Sequence, residues 1–309
     1  MTGFSIAGRP IGPGHPPFVI AELSGNHNGS LDRALALLDA AAATGADAVK
    51  LQTYTPDTIT LDHDGPGFLI EGGLWHGRRL HELYAEAHTP WEWHEALFAR
   101  ARDIGVILFS SPIDATANDL LESIGATAYK IASFEAVDLP LIARAAATGK
   151  PLIISTGLCN LAEMADALDA AKAAPGVALL HCVSAYPAVF ADANLATIPD
   201  MAARFGCVIG LSDHTPGSAA AAAGVALGAA IIEKHITLAR ADGGPDAAFS
   251  LEPNEFARLV NDCRQAWEAV GRVSYDVEGS EAANLQFRRS LYAVADIAAG
   301  EAFTPANVR

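Results

Sequence analysis

The chain has 309 residues, 51% of them apolar and 18% charged, and its 36 acidic and 20 basic side chains give a net charge of −16. This composition suits a globular protein with a sizeable core and argues against a disordered or fibrous one. It also argues against duplex nucleic acid as a partner, because phosphate binding needs a basic face. A small anionic ligand stays open, since one cationic pocket can exist within an acidic protein.

The sequence shows no signal for a membrane or an export pathway. No apolar run reaches the ~20 residues of a membrane helix, and the N-terminus lacks the basic and then apolar pattern of a secretory signal. The four cysteines show no CxxC spacing, which indicates thiols in a reducing compartment and not a disulfide framework or zinc site. We therefore expect a cytoplasmic protein that is not attached to a membrane.

Eight short apolar runs alternate along the chain with Ala-rich segments of helical length. Each run is unalternating and bounded by polar or glycine residues, as expected of parallel strands buried on both faces. Capping residues before the longer segments and glycines after them predict helices. The predicted strands are 18–23, 48–51, 106–109, 128–131, 151–154, 178–181, 208–211 and 230–232, and the predicted helices are 31–44, 90–105, 115–124, 138–148, 161–173, 195–205, 217–227 and 253–269.

Eight strand–helix repeats predict an α/β protein with a (β/α)8 TIM barrel. A doubly wound open sheet is the alternative, and its dinucleotide-binding form lacks support because no GxGxxG follows the first strand. We assign residues 1–271 to the barrel and 272–309 to a linker and tail. The segment between the second and third strands is long and rich in Gly and Asp over 62–77, which favours a functional loop on the C-terminal face.

Lysine is scarce, with five in all, yet Lys50 and Lys130 fall in or at predicted strands, near Ser and Thr donors. Most lysines belong on a solvated surface, so this placement favours an anion site, in which lysine is a common point charge for phosphate. An ion pair with a neighbouring carboxylate is the structural alternative. For Lys234, alternation along the eighth strand favours the structural pair.

Two histidines stand on adjacent strands. Ser212 and His214 share one face of the seventh strand, and Glu233 and His235 share one face of the eighth. Two neighbouring imidazoles suit a divalent transition metal, although hydrogen-bonded core histidines remain the alternative.

Three acids fall where barrel enzymes keep their chemistry, at the C-terminal ends of the strands. Glu22 and Glu135 end the first and fourth strands, where a carboxylate can transfer a proton or hold a sugar hydroxyl, unless it pairs with a lysine. Asp246 follows the eighth strand and either faces a ligand or forms an Asx turn. The residues thus predict a metal-assisted enzyme acting on a small phosphorylated or carboxylated metabolite.

Six strand-end motifs together resemble the sialic acid synthase family, which condenses phosphoenolpyruvate with an N-acetylated sugar to make nonulosonic acids. The resemblance extends over residues 5–309. Ser24-Gly25 and the segment EAHTPWEW at 86–93 look most like the pseudaminic acid branch, whereas the neuraminate and legionaminate branches usually carry Gly and a hydrophobic residue at 24–25. The motifs are AELSGNHNG at 21–29, KLQTY at 50–54, YKIASFE at 129–135, ISTG at 154–157, GLSDHT at 210–215 and IEKH at 232–235.

The resemblance implies three sets of site residues. The acceptor of this branch would be 2,4-diacetamido-2,4,6-trideoxy-altrose, reacting as its open-chain aldehyde. Position 184 departs from the Asn of the neuraminate enzymes. The positions that match the phosphoenolpyruvate site are Lys50, Lys130, Ser133, Ser155, Ser184 and Ser212. The positions around the acceptor sugar are Glu22, Glu135, Tyr186 and Asp246. The metal ligands are His214 and His235, and the metal is usually manganese, with magnesium or cobalt as alternatives.

The implied reaction is attack by C3 of phosphoenolpyruvate on the aldehyde, addition of water at C2 and release of phosphate by C–O cleavage. Glu22 is the preferred residue for activating the water and Glu135 the second choice, and both belong with Lys50 and Lys130 to the expected catalytic set. The resemblance also implies a domain-swapped homodimer, in which the C-terminal antifreeze-like domain of one subunit contributes an Arg to the partner's sugar site. We expect residues 272–309 to contain only the start of that domain, in a truncated or natural short form that binds the acceptor weakly.

Other interpretations stay open. A neuraminate or legionaminate synthase of the same family is the first alternative. A synthase that joins phosphoenolpyruvate to a sugar phosphate would need a second phosphate site, for which the sequence offers no further Lys or Arg cluster. A non-catalytic scaffold protein is disfavoured because the candidate acids, lysines and histidines are intact.

Overall fold

Strands and helices alternate through most of the computed structural model, which describes residues 3–309. The strands are β1 (Phe4–Ile6), β2 (Arg9–Ile11), β3 (Phe18–Glu22), β4 (Ala48–Thr53), β5 (Ile107–Pro112), β6 (Tyr129–Ile131), β7 (Leu152–Ser155), β8 (Val177–Cys182), β9 (Val208–Ser212) and β10 (Ile231–His235). The α-helices are α1 (Leu31–Ala43), α2 (Pro56–Ile59), α3 (Leu80–Ala87), α4 (His94–Ile104), α5 (Ala115–Ser123), α6 (Leu139–Ala147), α7 (Leu161–Ala170), α8 (Thr197–Phe205), α9 (Ala219–Ala226) and α10 (Pro253–Val270).

Strands β3 to β10 close into a parallel barrel. Each of these strands pairs with the next, and β10 pairs back with β3, so that the sheet has no free edge. The predicted (β/α)8 fold is therefore confirmed, and the open doubly wound sheet is excluded.

The helix boundaries follow local signals in the sequence. The Ser30 side chain accepts a hydrogen bond from the Arg33 amide at the start of α1, and Asp114 accepts from the Thr116 and Ala117 amides at the start of α5. Such caps satisfy amide groups that have no partner within the helix. Helix α4 ends at Gly105, whose φ of 75° lies in the left-handed region that glycine adopts without a steric cost.

A hairpin of β1 and β2 contributes to the lower part of the barrel core. Ile6 and Ile11 are buried and belong to the same apolar cluster as inward-facing residues of the strands, among them Phe18, Ile20 and Phe109. A second, larger cluster lies between the strands and the surrounding helices. The hairpin has no recognisable signal in the sequence, because each of its strands has only three residues and no periodicity can be seen over so short a run.

The apolar run at 230–232 is only the first part of the eighth barrel strand. Strand β10 continues to His235, which pairs in register with Glu22 of β3. The C-terminal half of this strand carries polar side chains that are buried, in agreement with the strand alternation predicted for Glu233, Lys234 and His235. Glu233, Lys234 and His235 are all less than 9% exposed.

Residues 54–90 form the long excursion between β4 and α4. It contains α2 and α3 and a hairpin-like turn, in which the Ile70 amide donates to the Arg78 carbonyl at 2.9 Å. The Trp75 indole Nε1 donates to the Pro245 carbonyl oxygen at 2.8 Å. This bond ties the excursion to the loop after β10, on the C-terminal face of the barrel.

The structure separates into two compact units at the junction between Val270 and Gly271. In the second unit, a backbone pairing joins Tyr292 and Val294 to the last residues of the chain. None of the helices within residues 3–309 has the length and apolar character needed to cross a membrane.

Candidate active site

Two lysines and two glutamates form a buried charge cluster in the upper part of the barrel. The Lys50 Nζ lies 3.0 Å from Glu22 Oε2 and 2.9 Å from Glu233 Oε1, and the Lys130 Nζ lies 3.6 Å from the same Glu233 oxygen. All four residues are no more than 5% exposed. Lys50 therefore has two carboxylate partners, whereas Lys130 has one more distant partner.

The pKa values of the cluster follow from burial and from these pairings. Burial disfavours the Lys50 cation, but Glu22 and Glu233 raise its pKa above the ordinary value. Burial lowers the pKa of Lys130 to about 8, although the Glu233 charge opposes this effect. Burial also opposes ionisation of Glu233, yet the Lys130 and Lys50 charges lower its pKa to about 2. For Glu22, burial outweighs the Lys50 charge and raises the pKa.

Four serine residues lie at or just after the C-terminal ends of β6 to β9, at positions 133, 155, 184 and 212. The Ser133 Oγ accepts a hydrogen bond from the Gly157 amide at 3.1 Å. A Cβ atom built on Gly157 would lie 2.2 Å from Ser184 Oγ and 2.8 Å from Ser133 Oγ, so only glycine fits here without a shift. The buried Ser155 Oγ has no hydrogen-bond partner, and the Ser212 Oγ donates to Glu233 Oε1 at 3.4 Å. Together with the two lysines, these groups can bind an anion with several oxygens.

The imidazoles of His214 and His235 lie side by side, as strand alternation predicted. His214 follows β9, His235 ends β10, and their ring centroids are 5.4 Å apart. The His214 Nδ1 lies 3.0 Å from the Val183 carbonyl oxygen, and a donor at Nδ1 leaves the Nε2 lone pair free for a ligand. The Nδ1 of His235 is buried without a partner, and burial holds the pKa of this imidazole well below its ordinary value.

These features fit a divalent transition metal, because neutral imidazoles with free lone pairs are common ligands for such ions. Across residues 3–309, His, Cys, Asp and Glu side chains form no group of three or more that could hold a metal ion. The protein thus offers two imidazoles, and the other ligands would come from water or substrate.

A cavity of about 350 Å³ lies beside the imidazoles. Its lining includes His235, Tyr186 and two acids, Glu135 and Asp246. The resemblance implies that Tyr186 and both acids lie around the acceptor sugar. The Tyr186 ring centroid is 4.5 Å from that of His214. The volume falls within the range of ~300–1,000 Å³ that is usual for small-molecule sites.

The acids of the cavity differ in their partners. The Glu135 Oε2 is buried without a hydrogen-bond partner, and burial raises the pKa of this carboxyl to about 7. The Asp246 Oδ2 accepts from the Ser24 hydroxyl and from the Gly25 amide, yet burial raises its pKa as well. Glu22 accepts from Gln52 Nε2 at 2.8 Å. Because Gln52 lines the cavity and Lys50 belongs to the charge cluster, Glu22 lies between the two.

The family model for the NeuB family matches residues 37–275, more than half of the chain. The chain belongs to the NeuB family. It is 44% identical over 294 residues to the pseudaminic acid synthase of Campylobacter jejuni, an alignment that covers 94% of this chain and 86% of that protein. It is 43% identical over 297 residues to the pseudaminic acid synthase of Helicobacter pylori, covering 95% of this chain and 87% of that protein.

A solved NeuB-type structure has the same fold. The N-acetylneuraminic acid synthetase of Leptospira borgpetersenii, crystallised with citrate, superimposes with a TM-score of 0.82 at 31% identity. The match covers 93% of this chain and 96% of that one. The family match and the structural match thus agree on the family and the fold.

Sequence reasoning missed several residues of this NeuB-family site. Glu233 shares a strand face with His235, and that signal could have identified it as the partner of both lysines. Gln52 belongs to the motif KLQTY at 50–54, but the sequence predicted no role for its side chain. Trp75, whose ring centroid lies 5.6 Å from that of Tyr186, and Cys182, whose Sγ lies 4.0 Å from His214 Nδ1, gave no local signal.

Lys234 lies outside the anion site, as strand alternation predicted. Its Nζ is 2.6 Å from Asp213 Oδ2 and also donates to the Thr215 carbonyl. Asp213 in turn accepts from the Thr215 amide at 2.9 Å. This buried pair fixes the turn that carries His214.

Proposed function

We propose that this NeuB-family chain is a pseudaminic acid synthase, which condenses phosphoenolpyruvate with open-chain 2,4-diacetamido-2,4,6-trideoxy-altrose. The observation that carries the proposal is that three features occur together at the C-terminal end of the barrel. These are an anion site around Lys50 and Lys130, the pair of imidazoles, and a cavity with carboxyl groups. The 44% identity to a pseudaminic acid synthase supports this choice of acceptor over others.

The donor would occupy the anion site. Lys130 has one carboxylate 3.6 Å away and is therefore incompletely paired, so its charge is available to a phosphate or carboxylate. The hydroxyls of Ser133, Ser155, Ser184 and Ser212 would complete the hydrogen bonding of the donor oxygens. A bound anion would also supply the partner that the buried Ser155 hydroxyl lacks.

His214 and His235 would hold the divalent metal, with manganese as the first choice and magnesium or cobalt as alternatives. When bound, the metal supplies Lewis-acid polarisation of the aldehyde oxygen. The Val183 carbonyl fixes the tautomer of His214, and the turn held by Lys234 fixes its position.

The chemistry would then balance as follows. The C3 atom of phosphoenolpyruvate forms a bond to the aldehyde carbon, and water adds at C2. The C2–O bond to the phosphate then breaks, so that the oxygen of the water becomes the C2 ketone. Of the two protons that this water releases, one converts the aldehyde oxygen to a hydroxyl and the other goes to the departing phosphate. Glu22 contacts Lys50 of the charge cluster and Gln52 of the cavity lining, and it is proposed to orient and activate the water. Glu135, with an unpartnered oxygen and a pKa of about 7, can give or accept a proton at the cavity wall.

The cavity favours an acceptor without a phosphate. Its lining residues, all within the described part of the chain, include the carboxyl groups of Glu135 and Asp246 but neither Lys nor Arg. A sugar phosphate would meet these carboxylates with no cation to balance its charge. This argues against the sugar-phosphate synthase. It leaves the neuraminate and legionaminate synthases as alternatives within the family.

Separate incubations with each family acceptor test the proposal. The purified chain is supplied with phosphoenolpyruvate, manganese and either the altrose derivative, N-acetylmannosamine or the legionaminate precursor. Phosphate release and chromatographic identification of the product are expected with the altrose derivative. Turnover of another acceptor at higher kcat/KM, with little or none of pseudaminic acid, would contradict the proposal. The expected homodimer and cytoplasmic location remain predictions.

A further inference from the structure

A chain of hydrogen bonds runs from the charge cluster to the cavity. The Gln52 Nε2 donates to Glu22 Oε1 at 2.8 Å and to Ser24 Oγ at 3.1 Å. The Ser24 hydroxyl in turn donates to Asp246 Oδ2. Ser24, Gln52 and Asp246 all line the cavity. Ser24, which is only 5% exposed, therefore links the Asp246 carboxyl to the side chains around Glu22.

The direction of these bonds follows from the chemistry of the groups. A carboxylate can only accept, so one hydrogen of the Gln52 amide goes to Glu22 and the other to Ser24. The single hydroxyl hydrogen of Ser24 is then left for Asp246 Oδ2, which also accepts from the Gly25 amide at 3.4 Å. Within residues 3–309, Asp246 Oδ1 accepts no hydrogen bond. One oxygen of this carboxyl is thus held by the protein, and the other can bind a ligand.

The backbone of Asp246 is held by a separate set of bonds. The Asn26 Nδ2 donates to Ser250 Oγ at 2.9 Å, and the Ser250 hydroxyl donates to the Asp246 carbonyl oxygen at 2.6 Å. Removing the Ser24 hydroxyl should therefore release the side chain of Asp246 and leave its backbone in place.

The backbone of Ser24 has an uncommon conformation. Its φ of 45° lies in the left-handed region, which glycine adopts freely and which residues with a side chain adopt rarely. Such conformations are concentrated at functional sites. The conformation places the Ser24 hydroxyl between Gln52 and Asp246.

We propose that Ser24 is a positioning residue of the acceptor site. Its hydroxyl holds Oδ2 of Asp246, so that Oδ1 accepts a hydrogen bond from a hydroxyl or amide group of the acceptor sugar. This inference rests on the proposed function and adds to it a residue that acts through Asp246. Both side-chain partners of Ser24 line the cavity, so its loss should weaken binding of the acceptor and not of phosphoenolpyruvate.

The first test is Ser24→Ala, assayed by phosphate release with phosphoenolpyruvate, manganese and the altrose derivative. We expect the KM for the acceptor to rise by about 10- to 100-fold, as for the loss of one hydrogen bond to a charged group. The KM for phosphoenolpyruvate should stay within about twofold, a split that a general loss of structure would not produce.

Ser24→Gly is a second variant, because glycine adopts the left-handed conformation without strain. It should raise the acceptor KM to a similar extent. The matched control is Asn194→Gly, since Asn194 is exposed and has a similar φ of 43°. This control gains the same backbone freedom and should keep the acceptor KM of the parent protein.

A double-mutant cycle tests whether Ser24 acts through Asp246. If it does, Ser24→Ala should change the acceptor KM by no more than about threefold when Asp246→Asn is already present, because two residues in one hydrogen-bond network are not additive. Full additivity of the two changes would overturn the positioning role.

The outcomes keep the two proposals apart. If the unmodified protein turns over the altrose derivative and both Ser24 variants keep its KM within twofold, the role of Ser24 is overturned and the proposed function stands. If the unmodified protein turns over only another family acceptor, the proposed function is overturned. A raised KM of Ser24→Ala for that other acceptor would still support the role of Ser24, and an unchanged KM would overturn it.

Discussion

Gly157→Ala offers a direct test of the donor site. The added Cβ would lie 2.2 Å from Ser184 Oγ and 2.8 Å from Ser133 Oγ, so one or both hydroxyls must move. A hydrogen bond to a charged group contributes ~1.5–3 kcal/mol. The loss of one such bond to the donor phosphate or carboxylate should therefore raise the KM for phosphoenolpyruvate by about 10- to 150-fold.

The assay is the initial rate of phosphate release at varied phosphoenolpyruvate and saturating acceptor. Gly279→Ala is the control, because a Cβ on Gly279 meets no atom within 4 Å. Ser184→Ala removes the hydroxyl without adding bulk and should raise the same KM. If Gly157→Ala remains folded and its KM for phosphoenolpyruvate stays within twofold of the parent protein, the proposed donor site around Gly157, Ser133 and Ser184 is wrong.

Three further changes probe the other parts of the site. Glu22→Gln should leave phosphoenolpyruvate binding by calorimetry nearly unchanged and suppress turnover by about 100-fold or more; near-normal turnover would remove Glu22 from the mechanism. Lys234→Met should lower the unfolding free energy by about 3–5 kcal/mol, because it leaves the buried Asp213 carboxylate unpaired. It should also weaken manganese binding. The control is Lys172→Met at an exposed position, which should lower the unfolding free energy by about 1 kcal/mol or less. Burial raises the pKa of Glu135 from 4.5 to about 7, so the folded protein keeps a proton that the unfolded chain releases. The unfolding free energy should therefore fall between these pH values, and urea titrations of Glu135→Gln at about pH 5 and pH 8 should show a smaller fall.

The fold could be predicted because its signals are local. Uninterrupted apolar runs, a cap such as Ser30 and a terminal glycine such as Gly105 each act within a few residues of their position. The hairpin at residues 4–11 could not be predicted, because its strands gain their stability from burial against distant parts of the barrel. The apolar run at 230–232 does not mark the end of β10, because the barrel interior buries the charged side chains that continue the strand to His235.

The site was predictable only in part, for a similar reason. Strand parity placed His214 and His235 together, and the resemblance supplied the donor and acceptor residues. The pairing of Glu233 with Lys50 and Lys130 depends on distances across the barrel interior, which periodicity does not contain. The contact between Trp75 and Pro245 joins residues far apart in the chain, so no local pattern could reveal it.

The barrel interior is divided along its axis, with apolar side chains around Ile6, Ile11 and Phe18 at one end and the charge cluster at the other. The side chains that stabilise the fold and those proposed for the chemistry thus lie at different levels along the same strands. Directed evolution could alter the loops that line the cavity to accept new sugars while the apolar rows of the barrel keep the scaffold intact. A NeuB-type barrel of this kind is therefore a suitable starting point for making new nonulosonic acids.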